Sequence, residues 1–415
     1  MTYRILSLDG GGSWALIQAL ALGRIFGEGT PGREILAEFD MVAANSGGSI
    51  VLGGLLENKS PTEIRALFEN ETIRRSIFSP TRSIPDWAVR ELTDIGPKYN
   101  AEAKLPALQR LMRTRGQQKL NEVAKGIRSM SETDLHVLII GFDYDRNRAA
   151  FFRSKRAEGG AQLGVGDTID IELAEAIHAS TNAPLNYFDG PAEFPVGGHP
   201  GRYWDGGLTG HNNPILAAVT EAIVLDVRPT DIRALSIGTA SVALAWPADG
   251  ARPSPFLCPR LDPGLVTDLK KLATTVLDDP PDAATFIAHV MTGGGADLPN
   301  GQVSRIVRMN PLISPVPATD PGPWGPPQGL SPAQFQALVK MDMDAVEQGE
   351  VDAIKHLAEL WLAGSGAPSP SVRNQPIRMD HDTLACELGH TTFSDALTAW
   401  NAFNPPEAAA PGGAA

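Results

Sequence analysis

One pattern, used twice in the first 60 residues, constrains this chain more than any other: a short apolar strand, a glycine turn, then a helix. Residues 3–8 read as a buried strand. Asp9-Gly10-Gly11-Gly12-Ser13 breaks it, and residues 14–26 carry apolar side chains at helical spacing. Residues 39–44 form a second apolar run, broken by Ser46-Gly47-Gly48, and a helix follows over 50–56. Two such units in succession predict an α/β layered domain around a mostly parallel sheet.

Both turns carry chemistry. Ala43-Ala44-Asn45-Ser46-Gly47-Gly48 places a serine between strand and helix among tiny neighbours, the form of a nucleophile elbow. Its usual pattern is G-x-S-x-G; Ala44 stands for the first glycine and Gly48 supplies the second. The helix N-terminus behind Ser46 favours developing negative charge. A capping serine in a glycine-rich turn would look the same. Gly10, Gly11 and Gly12 leave backbone amides bare, a nest able to hold an oxyanion. Gly10 to Ala15 also fits the dinucleotide fingerprint G-x-G-x-x-G/A, but the second strand ends in Asn45 and Ser46 rather than an acid. A phosphate P-loop is excluded, because no Gly-Lys-Ser/Thr follows. Trp204-Asp205-Gly206-Gly207 is a third loop, where an aspartate flanked by glycines can approach another loop closely.

The three loops together resemble those of the patatin-like phospholipases. That family carries a D-G-G-G loop, a G-x-S-x-G elbow and a D-G-G or D-G-A loop in this order. Ala179-Ser180-Thr181-Asn182-Ala183-Pro184 with Tyr187-Phe188, Asn212-Asn213-Pro214, and Leu235-Ser236-Ile237-Gly238-Thr239 resemble further blocks of the family. The likeness covers roughly residues 3–245 and continues weakly to about 360. It implies a three-layer α/β/α fold and a Ser46–Asp205 dyad that forms an acyl-enzyme. The oxyanion would rest on the amides of Gly11 and Gly12, with Gly10 a further candidate. The implied substrates are fatty-acyl esters: phospholipids, lysophospholipids or glycerides. An acyltransferase on the same site and a non-catalytic nucleotide-binding module are the alternatives. Trp14 and Ala15 stand where the family usually has arginine and glycine, which moves any head-group charge to other arginines such as Arg153 or Arg202. Ser46, Asp205 and His211 follow the triad order of α/β-hydrolases, but that fold sets its elbow after several strands and one precedes it here. His178 is expected to pack near the site.

The remaining sequence sets the boundaries. Residues 1–365 read as the catalytic domain: a core at 3–245, a helical cap segment at about 60–130 and a C-terminal extension at 246–365. Residues 366–415 form a C-terminal segment, with a Pro/Ala/Gly tail from Pro405 expected to be disordered. Strands are expected at 135–143, 149–154, 235–239 and 305–309, and helices at 171–180 and 334–362. The cap segment and the Pro-rich loop 311–331 are the expected covers of an acyl pocket. A net charge of −13 argues against nucleic-acid partners. Any lipid contact must therefore be local, although a membrane surface would present the substrate. Cys258 and Cys386 match no metal spacing, and no cofactor or metal is expected. With no signal-like N-terminus and no apolar run of about 18 residues, a cytoplasmic protein is expected, or one exported without a signal.

Overall fold

The first apolar run lies in the middle of a sheet. We describe a computed structural model of the chain over residues 2–81, 96–128, 133–155, 171–196, 199–248, 252–264, 267–268, 271, 280–298, 301–317, 324–364, 371–378 and 388–403. Tyr3–Leu8 (β1) pairs in parallel with Met41–Asn45 (β2) on one side and Ile232–Ile237 (β7) on the other. β2 pairs in parallel with His136–Asp143 (β3), and β7 with Ile306–Met309 (β9). Arg148–Arg153 (β4) returns antiparallel along β3, after a turn in which Asn147 takes a φ of 55°. His199–Asp205 (β6) runs antiparallel to β3 and pairs with Ala192–Val196 (β5). The sheet has eight strands, mostly parallel, in the order β5-β6-β3-β2-β1-β7-β9 with β4 beside β3, while the short strand Ser241–Val242 (β8) pairs outside it.

Side-chain alternation sends each strand into two cores. Leu6, Leu8, Val42, Ala44, Val137, Ile139, Leu235 and Ile237 join the larger cluster. Ile5, Met41, Ala43, Leu138 and Ala234 join the smaller one on the opposite face. The helices Leu16–Phe26 (α1), Ser46–Leu56 (α3) and Gln348–Ala363 (α12) contribute to the larger core, and Ile215–Val224 (α9) and Pro280–Met291 (α10) to the smaller. The result is a three-layer α/β/α arrangement, as expected from the sequence.

The cap segment forms short helices where it is described: Pro61–Glu69 (α4), Glu71–Ile77 (α5), Lys104–Leu111 (α6) and Leu120–Ala124 (α7). The C-terminal segment contributes a helix that the sequence pattern did not mark, Phe393–Ala402 (α13). Its Trp400 stacks on Phe39 at 5.8 Å, so this segment completes the larger core. The residues from 404 onward lie outside the described residues.

One expected element is broken. The helix read over 334–362 is two helices, Pro332–Lys340 (α11) and α12, separated by a strap at 341–347. Tertiary bonds override local propensity here. Lys98 Nζ binds both Asp342 and Asp344 at 3.1 Å, and the Tyr99 hydroxyl donates to Asp344 at 2.6 Å. The Arg74 guanidinium holds the Val346 carbonyl at 2.9 Å. The strap is thereby stretched across the first turn of the chain.

Candidate active site

Ser46 sits at the junction of β2 and α3 with φ at +46°, a left-handed conformation that non-glycine residues rarely adopt. Small neighbours make the turn possible. A Cβ at Gly47 would stand 2.4 Å from the Gly12 carbonyl oxygen, and one at Gly48 would stand 2.4 Å from that of Leu8. The elbow is therefore packed directly on the glycine loop, at the carboxyl ends of adjacent parallel strands where open α/β sheets collect ligands.

Sheet geometry brings Asp205 to the serine. β4 occupies one edge of β3 from Leu138 to Asp143, so β2 and β6 must share the other. β2 ends with Asn45 opposite Ile140, and β6 ends with Asp205 opposite Gly141. The two strands meet head to head. The Asp205 carboxylate accepts from the Ser46 side chain, the Gly207 amide at 2.8 Å and Asn45 Nδ2 at 3.2 Å. Burial raises its pKa above the ordinary carboxylate value, against these bonds and the charge of Lys104. Ser180 ties the pieces together: its hydroxyl accepts from the Ser46 amide at 2.9 Å and donates to Asn45 Oδ1 at 3.3 Å. Asn182, from the same small-residue block, accepts the Asp205 amide through its carbonyl at 3.0 Å.

In the glycine loop, the Gly10 amide is committed to the Asn212 carbonyl at 2.8 Å, so in this structure it is not available to an oxyanion. Among the described residues no backbone acceptor takes the amides of Gly11 or Gly12. Asp9, at the loop's start, points away from the serine into a buried ion pair with Arg308 at 2.6 Å, and Arg308 also donates to Ser236 at 2.8 Å. The Thr239 hydroxyl donates to the Gly10 carbonyl at 2.6 Å. Asn213 joins Ser7, Thr285 and the start of α9.

Gly12, Ser46 and Gly47 line a pocket with Ile77, Phe78, Lys104, Tyr187, Phe188 and Met343. A second cavity shares Gly12, Ile50, Ile77 and Phe78 with it and continues past Leu67, Phe68 and Leu111. Ile77, Phe78, Lys104, Leu67, Phe68 and Leu111 of these linings belong to the segment read as a cap. Loop 311–331 does not contribute: among its described residues none lines either cavity, and the strap residue Met343 takes that place. The Met343 carbonyl accepts the Ser13 amide at 2.9 Å, and a Cβ on Gly12 would meet it at 2.3 Å. The Trp14 indole N–H donates to the Asp342 carbonyl at 3.1 Å, so the residue found where the family usually has arginine anchors the strap.

Other sequence candidates lie elsewhere. The His211 ring packs edge-on against Phe151 at 5.4 Å, and among the described residues no hydrogen bond joins it to Ser46 or Asp205. Arg153 pairs with Glu221 at 3.0 Å and Arg202 with Asp145; neither lines the pocket. His178 is buried beside Lys104, which together with desolvation pushes its pKa down to about 3. Lys104 itself was not legible as a site residue, because a lysine opening a helix reads as solvated surface; here it is wholly buried. Among the described residues no cluster of His, Cys, Asp or Glu could hold a metal, and no helix is long and apolar enough to cross a membrane.

A family model described as patatin-like phospholipase matches residues 6–219. A cGAMP-activated phospholipase of Pseudomonas aeruginosa is 28% identical over 248 residues, covering 58% of this chain and 63% of that relative. Of solved structures, VipD from Legionella pneumophila covers 86% of this chain and 67% of its own, at 10% identity and TM-score 0.31. Full-length ExoU from the Pseudomonas aeruginosa type III secretion system, in complex with SpcU, covers 44% and 38%, at 15% identity and TM-score 0.22.

Proposed function

The chain belongs to the patatin-like phospholipase family, and from that membership and the pocket geometry we propose a serine lipid acyl hydrolase working through a Ser46–Asp205 dyad. One observation carries the dyad: a serine at φ +46° on a strand–helix elbow, bonded to a buried aspartate in a pocket floored by Gly12. Asp205 takes the hydroxyl proton as Ser46 Oγ attacks the ester carbonyl. The oxyanion rests on the Gly11 and Gly12 amides. The departing alcohol takes the proton back from Asp205, leaving an acyl-serine. Water, deprotonated by Asp205, then releases the fatty acid. The second cavity, lined mostly by Leu, Ile and Phe, suits the acyl tail. Fatty-acyl esters of phospholipids, lysophospholipids or glycerides are the proposed substrates.

Labelling by a fluorophosphonate probe, followed by a lipid panel, tests this reading. Ser46→Ala should abolish both, and Asp205→Asn should slow hydrolysis by about 10²–10⁴-fold. Equal labelling of wild type and Ser46→Ala would sink the nucleophile assignment. Transfer of acyl groups to an added alcohol in excess of hydrolysis would turn the same chemistry into an acyltransferase. A thermal shift with NAD or ATP that ester analogues do not produce would instead favour the nucleotide-module alternative.

The strap across the glycine loop agrees with a covered resting site, and one relative carries an activator in its name. We extend the proposal to control of this kind: hydrolysis should be measured with and without cGAMP, and an unchanged rate removes that nucleotide as an effector.

A further inference from the structure

The block Leu235–Thr239 takes no part in the proposed dyad, yet its last residue reaches the glycine loop. Thr239 stands two residues beyond β7 and is buried. Its hydroxyl donates to the Gly10 carbonyl at 2.6 Å, and a Cβ on Gly11 would stand 2.2 Å from the same hydroxyl oxygen. The turn that aims it is strained. Ala240 takes a φ of 85°, in the left-handed region that alanine rarely enters, and Asn310 Oδ1 accepts its amide at 2.7 Å. Such strain persists only where the surrounding structure enforces it.

A trans peptide is planar, and its carbonyl and amide hydrogen point in opposite directions. A group that grips the Gly10 carbonyl therefore also fixes where the Gly11 N–H points. That peptide lies against the serine: a Cβ on Gly10 would stand 3.0 Å from the Cβ of Ser46. The neighbouring planes are held in the same way. Gln18 Nε2 donates to the Asp9 carbonyl at 2.9 Å, and the Trp14 amide donates to the Gly11 carbonyl at 3.0 Å, which fixes the Gly12 N–H. Of the amides from Asp9 to Trp14, those of Gly11 and Gly12 are the two without a backbone acceptor among the described residues. The Ser46 amide is taken by the hydroxyl of Ser180, which closes the helix Leu173–Ser180 (α8).

Resting on the acyl-enzyme reading given above, we propose that Thr239 is the positioning residue of the oxyanion site: its hydroxyl locks the Gly10–Gly11 peptide so that the Gly11 N–H is aimed before the ester arrives. Donors that need no reorientation during the reaction are the ones that stabilise a developing charge most. Without the hydroxyl, the Gly10 carbonyl loses its side-chain partner and the Gly11 N–H loses its fixed direction.

The test uses the full chain. It measures kcat, KM and inhibition by a long-chain alkyl trifluoromethyl ketone, whose serine adduct carries the oxyanion, for wild type, Thr239→Val and Thr239→Ser. Valine keeps the shape and removes the hydroxyl. It should lower kcat by about 10²-fold with KM unmoved, because the interaction is made in the transition state. Affinity for the ketone should fall by a similar factor, and Thr239→Ser should restore most of both. A variant that only folds less completely loses kcat and keeps the ketone's affinity, and that result overturns the proposal. A kcat that valine leaves unchanged overturns it too, as does a serine variant as slow as valine. Thr239→Ala takes the place of valine if Thr239→Val does not fold, with the same split expected. A wild type that neither hydrolyses esters nor binds the ketone overturns the acyl-enzyme reading instead, so the two failures are distinct.

Discussion

Asn45 and Asp205 stand on consecutive rungs of one edge of β3, opposite Ile140 and Gly141, and the amide of the first donates to the carboxylate of the second at 3.2 Å. The distance between Ser46 and its proposed base, Asp205, is thus set by strand register. The tight fit is visible at Gly206, where a Cβ would fall 2.5 Å from Asn45 Oδ1 and 2.8 Å from the Ile140 carbonyl oxygen.

Gly206→Ala should force the two strand ends apart. A misplacement of about 1 Å costs on the order of 100-fold in rate, and overpacking costs about 1–3 kcal/mol. Fluorophosphonate labelling rates and a urea melt should show a large loss of reactivity with a modest loss of stability. Reactivity kept at wild-type level would mean that register does not set the distance.

Arg308→Met should cost about 3–5 kcal/mol, because it strands the Asp9 carboxylate without its 2.6 Å partner in a closed interior. Urea unfolding measures this. Adding Asp9→Leu should recover much of the loss, and a double variant no better than the single would show that the ion pair is not the source.

His178 predicts the sign of a pH effect. Its folded pKa is depressed from 6.5 to about 3, so the unfolded chain takes the proton first on acidification. The stability that depends on a neutral His178 is complete above about pH 6.5 and drains as pH falls toward 3. The slope is at most about 1.4 kcal/mol per pH unit. Urea midpoints across this window should fall more steeply for wild type than for His178→Leu, and parallel curves would contradict the assignment.

Trp14→Phe keeps the ring but removes the indole N–H that holds the Asp342 carbonyl. Hydrogen exchange should quicken at 341–347 and at the Ser13 amide, which is protected by the Met343 carbonyl. Unchanged exchange at Ser13 would show that the strap is held by Lys98, Tyr99 and Arg74 without help from Trp14.

Most of the sheet, and the elbow and aspartate loop that carry the proposed dyad, were legible because they depend on local patterns. Apolar runs matched β1, β2, β3, β4, β7 and β9 to within a few residues, and tiny residues around Ser46 marked the elbow. What stayed hidden depends on distant partners. Residues 341–347 have helix-compatible side chains, and only Lys98, Tyr99 and Arg74, some 240 to 270 positions earlier, pull them into a strap. Lys104 and Arg308 look like ordinary surface charges until the fold closes around them. The loop 311–331 was chosen as a cover on composition, yet its described residues line neither cavity, since Met343 takes that place. The short helix Phe393–Ala402 lacked a strong periodic signal, but its N-cap at Thr392 accepts the Asp395 amide at 3.0 Å and could have marked it.

The head-to-head meeting of β2 and β6 also orders events during synthesis. Ser46 leaves the ribosome long before Asp205, and the strap that crosses the glycine loop comes from beyond residue 340. A nascent chain therefore carries the proposed nucleophile without its proposed base for some 160 residues of elongation, and the two do not meet until β6 has threaded in beside β3.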